Sequence, residues 1–151
     1  MKAVVALGAN LEEPDAAVEL AITLLEQSTD VIARSSHYAT KPMGGPPQSD
    51  YVNAVCIIDS DLPAHDLLGL LHGIEKSMGR VRNERWGPRV IDLDLITYGN
   101  IVSDDIELTL PHPRAHERGF VLQPWLEIDP HAELPPYGRV DEILAQLPSS
   151  K

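Results

Sequence analysis

Two periods of apolar and polar positions run along the chain, and the switches between them lay out its elements. Lys2–Leu7 is a short, nearly continuous apolar run ended by Gly8-Ala9-Asn10, the pattern of a buried strand. From Pro14 to Gln27 the residues Ala17, Val18, Ala21, Ile22, Leu24 and Leu25 recur at helical spacing. Pro14 suits the first turn of that helix, where its missing N–H costs nothing. Val31–Tyr38 reads as a second strand. Thr40-Lys41-Pro42-Met43-Gly44-Gly45-Pro46-Pro47 holds too much proline and glycine for a regular element and reads as a mobile loop of the kind that carries function. Tyr51–Asp59 is a third strand, Pro63–Met78 a second amphipathic helix stopped by Gly79, and Val90–Tyr98 a fourth strand. Beyond these lie a proline-rich crossing at Leu110–Pro113 and short helical segments at Gly119–Glu127 and Val140–Leu147.

The order strand, helix, strand, strand, helix, strand is the split layout of an α+β, ferredoxin-like βαββαβ core. It predicts an antiparallel sheet with its helices packed on one face, the other face and the loops above it free for a ligand, and extra C-terminal segments. No internal repeat or linker divides residues 1–151, so one domain is expected.

Composition narrows the function. A net charge of −11 argues against a general nucleic-acid or membrane surface. Yet Arg80, Arg82, Arg85 and Arg89 crowd into ten residues, a basic island that suits a compact, highly charged anion. The single cysteine, Cys56, lies in an apolar run with no base beside it and reads as a small core hydrophobe. A lone thiol, no leader pattern and no apolar stretch of membrane-spanning length together predict a cytoplasmic protein.

The chemistry concentrates in Arg85–Ile96. Along a strand, alternate side chains share a face, so Ile91, Leu93 and Leu95 point towards a core while Asp92 and Asp94 point the other way, about 7 Å apart. Alone, the pair could be an ordinary solvated strand face. With the arginine island directly upstream, it reads as one half of a polyphosphate clamp, carboxylates holding Mg²⁺ and guanidinium groups gripping phosphates. No P-loop or dinucleotide fingerprint is present, so phosphate binding must rest on side chains and metal ions.

Arg85–Ile96 resembles the signature of the 6-hydroxymethyl-7,8-dihydropterin pyrophosphokinases, enzymes of folate biosynthesis. The resemblance extends through Gly8-Ala9-Asn10, Tyr51-Val52-Asn53-Ala54, Gly79-Arg80-Val81-Arg82, Leu110-Pro111-His112-Pro113 and Arg118-Gly119-Phe120-Val121. It implies Mg²⁺-dependent transfer of pyrophosphate from ATP to the pterin hydroxymethyl group, with release of AMP. Asp92 and Asp94 would bind two Mg²⁺ ions. Arg80, Arg82, Arg89, His112 and Arg118 would contact the triphosphate, with Arg82, Arg89, Asp92 and Asp94 as the catalytic set. His72, Glu75, Trp86 and Leu95 would lie beside the nucleotide; some members carry a neutral amide at the place of His72. Thr40, Met43, Tyr51, Asn53, Trp86 and Phe120 would form the pterin pocket. Tyr51 and Asn53 are two apart on one strand, and an Asn amide offers both a donor and an acceptor to a heterocycle edge. Read alone, Phe120 belongs to a core with Val121 and Leu122; the resemblance places it, like Trp86, against the flat pterin ring.

His112 and His116, four apart, invite a zinc reading, but no third ligand stands at helical spacing and prolines flank His112. A phosphate-contacting His112, a surface His116 and an exposed His65 are expected. The partners are ATP and the pterin, with no nucleic acid and no membrane, and a monomer is expected. The rival readings are a nucleotidyl transferase or kinase acting on another small alcohol, and an RNA-recognition module. The latter needs aromatics and positive charge on the central strands, where this chain puts Asp92 and Asp94.

Overall fold

The computed structural model describes residues 1–10, 13–40, 51–79 and 91–148. The long elements are β1 (Lys2–Ala9), α1 (Pro14–Ser28), β2 (Asp30–Arg34), β3 (Tyr38–Thr40), β4 (Tyr51–Asp59), α2 (Ala64–Gly79) and β5 (Asp92–Tyr98). A hairpin of β6 (Ser103–Asp104) and β7 (Thr109–Leu110), a 3₁₀ turn at Ala115–Glu117 and α3 (Gly119–Ile128) follow. The hairpin of β8 (Glu133–Leu134) with β9 (Gly138–Arg139) and then α4 (Val140–Gln146) come last.

β1 lies inside the sheet, antiparallel to β4 on one side and to β5 on the other. The order is β2-β4-β1-β5, with β3 also paired to β4. One face is closed by α1 and α2. Val5, Leu7, Ala54, Cys56, Leu93 and Leu95 meet Val18, Ile22 and Leu25 of α1 and Leu67, Leu71 and Ile74 of α2 in one buried cluster. Each fully buried Leu or Ile there contributes about 1.5–3 kcal/mol. Cys56 is part of this core, and burial pushes its thiol up to about 12, so it is inert as a nucleophile.

Helices were expected on one face only, and the structure corrects this. Val4, Ala6, Val55 and Ile96 make half of the second face apolar, and that half is sealed by Ala115, Val121, Leu122 and Trp125 of the 3₁₀ turn and α3. Only the remaining, polar half of the face lies beyond this cover.

The strand expected over Val31–Tyr38 is two strands, both on β4. Between them Ser35 is buried and turns its side chain to the neighbour: the Val55 amide donates to Ser35 Oγ at 2.9 Å, and the Ser35 amide donates to the Val55 carbonyl at 2.9 Å. A hydroxyl takes the place of a backbone acceptor, and regular pairing stops. Phe120, at 38% exposure, is not the core residue that its neighbours suggest. His116, expected at the surface, is partly buried and stacks on Tyr137 with ring centroids 3.8 Å apart. His65 is exposed as expected.

Candidate active site

The polar half of the second face is built by strand register. Tyr38 pairs with Asn53, Asn53 with Gly8, and Gly8 with Asp92, so these four residues form one row across β3, β4, β1 and β5. The next row towards α3 is Val55, Ala6 and Asp94. Asp92 and Asp94 therefore share a face, as their spacing requires, while Leu93 and Leu95 turn into the core. A Cβ at Gly8 would come 3.1 Å from Asn53 Oδ1, so glycine there leaves room for the Asn53 amide. Asn53 is 5% exposed and donates through Nδ2 to Thr40 Oγ1 at 2.7 Å. With its oxygen accepting, the Thr40 hydroxyl keeps its own hydrogen for another partner. Thr40 in turn pairs with Tyr51, which lies on the same face as Asn53.

Around Asp94 the charges are opposed. Arg118 Nη1 stands 3.8 Å from Asp94 Oδ2, with both side chains partly exposed. The Arg118 guanidinium carbon also lies 5.7 Å from the centre of the Phe120 ring, within cation–π range. His112 Nδ1 accepts the Arg114 amide hydrogen at 3.2 Å. Burial holds His112 below its ordinary value, with Asp94 pulling the other way and Arg118 and Arg114 adding to the depression. His112 is thus a neutral ring beside a carboxylate and a guanidinium, with Nε2 carrying the proton.

A cleft of about 270 Å³ runs along the outer edge of β5. His72 and Glu75 of α2 form one wall, Ile106–Thr109 the other, and Asp94, Leu95 and His112 line it between them. Glu75 also accepts the Leu93 backbone amide hydrogen at 2.8 Å.

The structure thus brings together Thr40, Tyr51 and Asn53 in one group, Asp94, His112, Arg118 and Phe120 in a second, and His72, Glu75 and Leu95 in a third. The second and third groups meet at β5, and the first lies across β1 from them, on β3 and β4. Met43, Arg80, Arg82, Trp86 and Arg89 lie outside the described residues. Sequence reasoning missed the wall at Ile106–Thr109, because strands of two residues carry no legible period. It also missed the spatial reason for Gly8, although the glycine after an apolar run was itself a visible signal.

Residues 4–130 match the profile of the 7,8-dihydro-6-hydroxymethylpterin-pyrophosphokinase family. The chain belongs to this family. A 2-amino-4-hydroxy-6-hydroxymethyldihydropteridine pyrophosphokinase of Haemophilus influenzae is 40% identical over 151 residues, which cover 99% of this chain and 94% of the relative. Its counterpart in Pseudomonas aeruginosa is 39% identical over 146 residues, covering 95% and 90%. Among solved structures, an HPPK-DHPS in complex with substrates shares the fold, with a TM-score of 0.76 at 12% identity. The match covers 95% of this chain and 42% of that longer one. A Plasmodium falciparum HPPK-DHPS matches with a TM-score of 0.70 at 13% identity, over 96% of this chain and 44% of that one.

The donor set suits the cation that pyrophosphokinase chemistry implies. Two carboxylates project from one rigid strand, and among the described residues no group of three or more His, Cys, Asp or Glu converges as a cage. Mg²⁺ is commonly held by one or two carboxylates, with water and substrate phosphates completing its shell.

Proposed function

We propose that this chain transfers pyrophosphate from ATP to the hydroxymethyl group of 6-hydroxymethyl-7,8-dihydropterin, releasing AMP, as a Mg²⁺-dependent step of folate biosynthesis. The observation that carries the reading is the row Asn53, Gly8, Asp92 across three adjacent strands. Asn53 and Asp92 are two strand spacings apart, about 10 Å. That separation lets a pterin ring hydrogen-bonded at Asn53 and Thr40 extend its hydroxymethyl arm over Gly8 to the two aspartates. Phe120 supports this assignment: an exposed aromatic at the start of α3, beside the same half-face, is free to stack on the ring.

ATP is assigned to the adjoining cleft, its base and ribose between His72, Glu75 and Ile106–Thr109. Its phosphates then run past His112 and Arg118 towards Asp94. Arg118 and the Nε2–H of His112 donate to phosphate oxygens, and the arginines of residues 80–89 are assigned to the same task. Mg²⁺ bound at Asp92 and Asp94 would neutralise phosphate charge and lower the pKa of the attacking alcohol. Asp92 and Asp94 themselves supply a fixed pair of oxygen ligands, and the strand that carries them sets their separation before substrate arrives. The pterin oxygen attacks the β-phosphorus in line, the bond to the α-phosphate oxygen breaks, and positioning rather than covalent catalysis supplies the rate.

The core is read as ferredoxin-like, on the order β2-β4-β1-β5 with antiparallel neighbours and the α1 and α2 crossovers on one face. Residues 1–151 are read as one pyrophosphokinase domain that works as a monomer in the cytoplasm. No helix among the described residues is long and apolar enough to cross a membrane. Product analysis tests the reaction. AMP formed one-to-one with pterin diphosphate is expected; ADP formed in the presence of the pterin rules out pyrophosphate transfer.

A further inference from the structure

We propose that Glu127, a residue with no role in the reaction described above, is a positioning residue for the acceptor pocket and acts through Tyr38. The inference rests on the reading that Thr40, Tyr51, Asn53 and Phe120 hold the pterin. Glu127 lies in the last turn of α3. Its carboxylate gathers three hydrogens from one short stretch of chain. Oε1 accepts from the Tyr38 hydroxyl at 2.6 Å and from the Ser36 hydroxyl at 2.7 Å, and Oε2 accepts from the Ser36 amide at 3.0 Å. Hydrogen bonds to an ionised acceptor are the strong kind. The Tyr38 and Ser36 donors hold the Glu127 carboxyl below its usual range, and the carboxylate raises the Tyr38 phenol.

What the clamp holds decides its role. Ser36 lies in the break between β2 and β3, where regular pairing has stopped, and Tyr38 is the first residue beyond it. β3 has three residues and pairs with β4, so its backbone ladder is short. Tyr38 stands opposite Asn53 at the head of that strand, and Thr40 at its other end supplies the Asn53 amide with its partner. Helix α3 is already seated by Val121, Leu122 and Trp125 in the second core, and it carries Phe120 in its first turn. Glu127 therefore ties the short strand of the pocket wall to the helix that the second core seats. Without it α3 stays in place, while Thr40 loses its register against Asn53 and its distance from Phe120.

The test measures two affinities separately: 6-hydroxymethylpterin in the presence of saturating Mg²⁺ and a non-hydrolysable ATP analogue, and the analogue with Mg²⁺ alone. Glu127→Ala is expected to raise the pterin Kd about tenfold, and Tyr38→Phe about threefold, the loss of charge-assisted hydrogen bonds. Both variants should keep the analogue Kd within about twofold of wild type, and Glu127→Gln, which retains an acceptor oxygen, should fall between. Asn53→Ala serves as the reference. If it binds pterin as wild type does, the pocket reading fails. If it loses pterin while Glu127→Ala and Tyr38→Phe bind normally, only the positioning role fails. A proportional loss of both ligands also overturns that role, because it reports general loosening. Should Glu127→Ala not fold, Tyr38→Phe, which keeps the ring and loses one hydrogen, decides alone.

Discussion

The carboxylate of Glu75 accepts the backbone amide hydrogen of Leu93 at 2.8 Å, and Leu93 is the residue between Asp92 and Asp94. β5 is an edge strand, paired with β1 on one side and carrying outward amides on the other. α2 thus reaches round the sheet edge to pin the short segment that carries both aspartates. Glu75→Ala should speed hydrogen exchange at the Leu93 amide about fivefold, since one such bond is worth about 1 kcal/mol. Glu75→Gln, with an acceptor oxygen still in place, should keep most of the protection. Unchanged exchange in Glu75→Ala would show that the contact restrains nothing.

Gly8 separates the acceptor side from the aspartates. An added methyl group would meet Asn53 Oδ1 at 3.1 Å, closer than comfortable contact but not an outright clash. Gly8→Ala should displace the Asn53 amide by a few tenths of an ångström, at a folding cost of about 1 kcal/mol. The expected outcome is a pterin Kd raised about fivefold, with the ATP-analogue Kd unchanged. Calorimetric titration of the two ligands checks it, and equal weakening of both would count against the assigned row.

The acid limb of stability has a named contributor. The Arg34 guanidinium, hydrogen-bonded to Glu19, and to a lesser degree His37 hold the Glu19 carboxyl down to about 2. A carboxylate whose folded pKa is depressed stabilises the fold above its unfolded value of about 4.3, and the gain disappears as pH falls from there towards 2. Glu19 is half exposed, so solvent screening limits the contribution to about 1 kcal/mol. Glu19→Gln should therefore be less stable than wild type at pH 6–7, with the two converging near pH 2. Denaturant melts across that range measure it. A constant difference at every pH would mean that packing, not charge, is responsible.

What the sequence made legible follows from periodicity. Asp92 and Asp94 stand out because two carboxylates interrupt an apolar strand at every second position, a pattern that survives any detail of the turns. The break at Ser35 has no such signature: one hydroxyl replaces a backbone acceptor, and Ser-Ser-His reads as strand or loop equally well. Glu127 looks like a solvated residue near the end of a short helix, and its three donors arrive from about ninety residues away. The cover over half of the second face is hidden from the sequence for a related reason. Val121, Leu122 and Trp125 do form an apolar stripe, but a helix stripe does not name the surface it will meet.

The most direct test of the central claim is Asp94→Ala. The Asp94–Arg118 pair is partly exposed and spans 3.8 Å, so its loss should change folding stability by less than about 1 kcal/mol. Thermal unfolding should confirm a native fold. On that folded protein, AMP release with pterin, ATP and Mg²⁺ should drop by at least about three orders of magnitude, as expected when a charge-stabilising ligand of the transition state is removed. Mg²⁺-dependent binding of the ATP analogue should weaken in parallel. A folded Asp94→Ala protein that turns over at the wild-type rate would contradict the account.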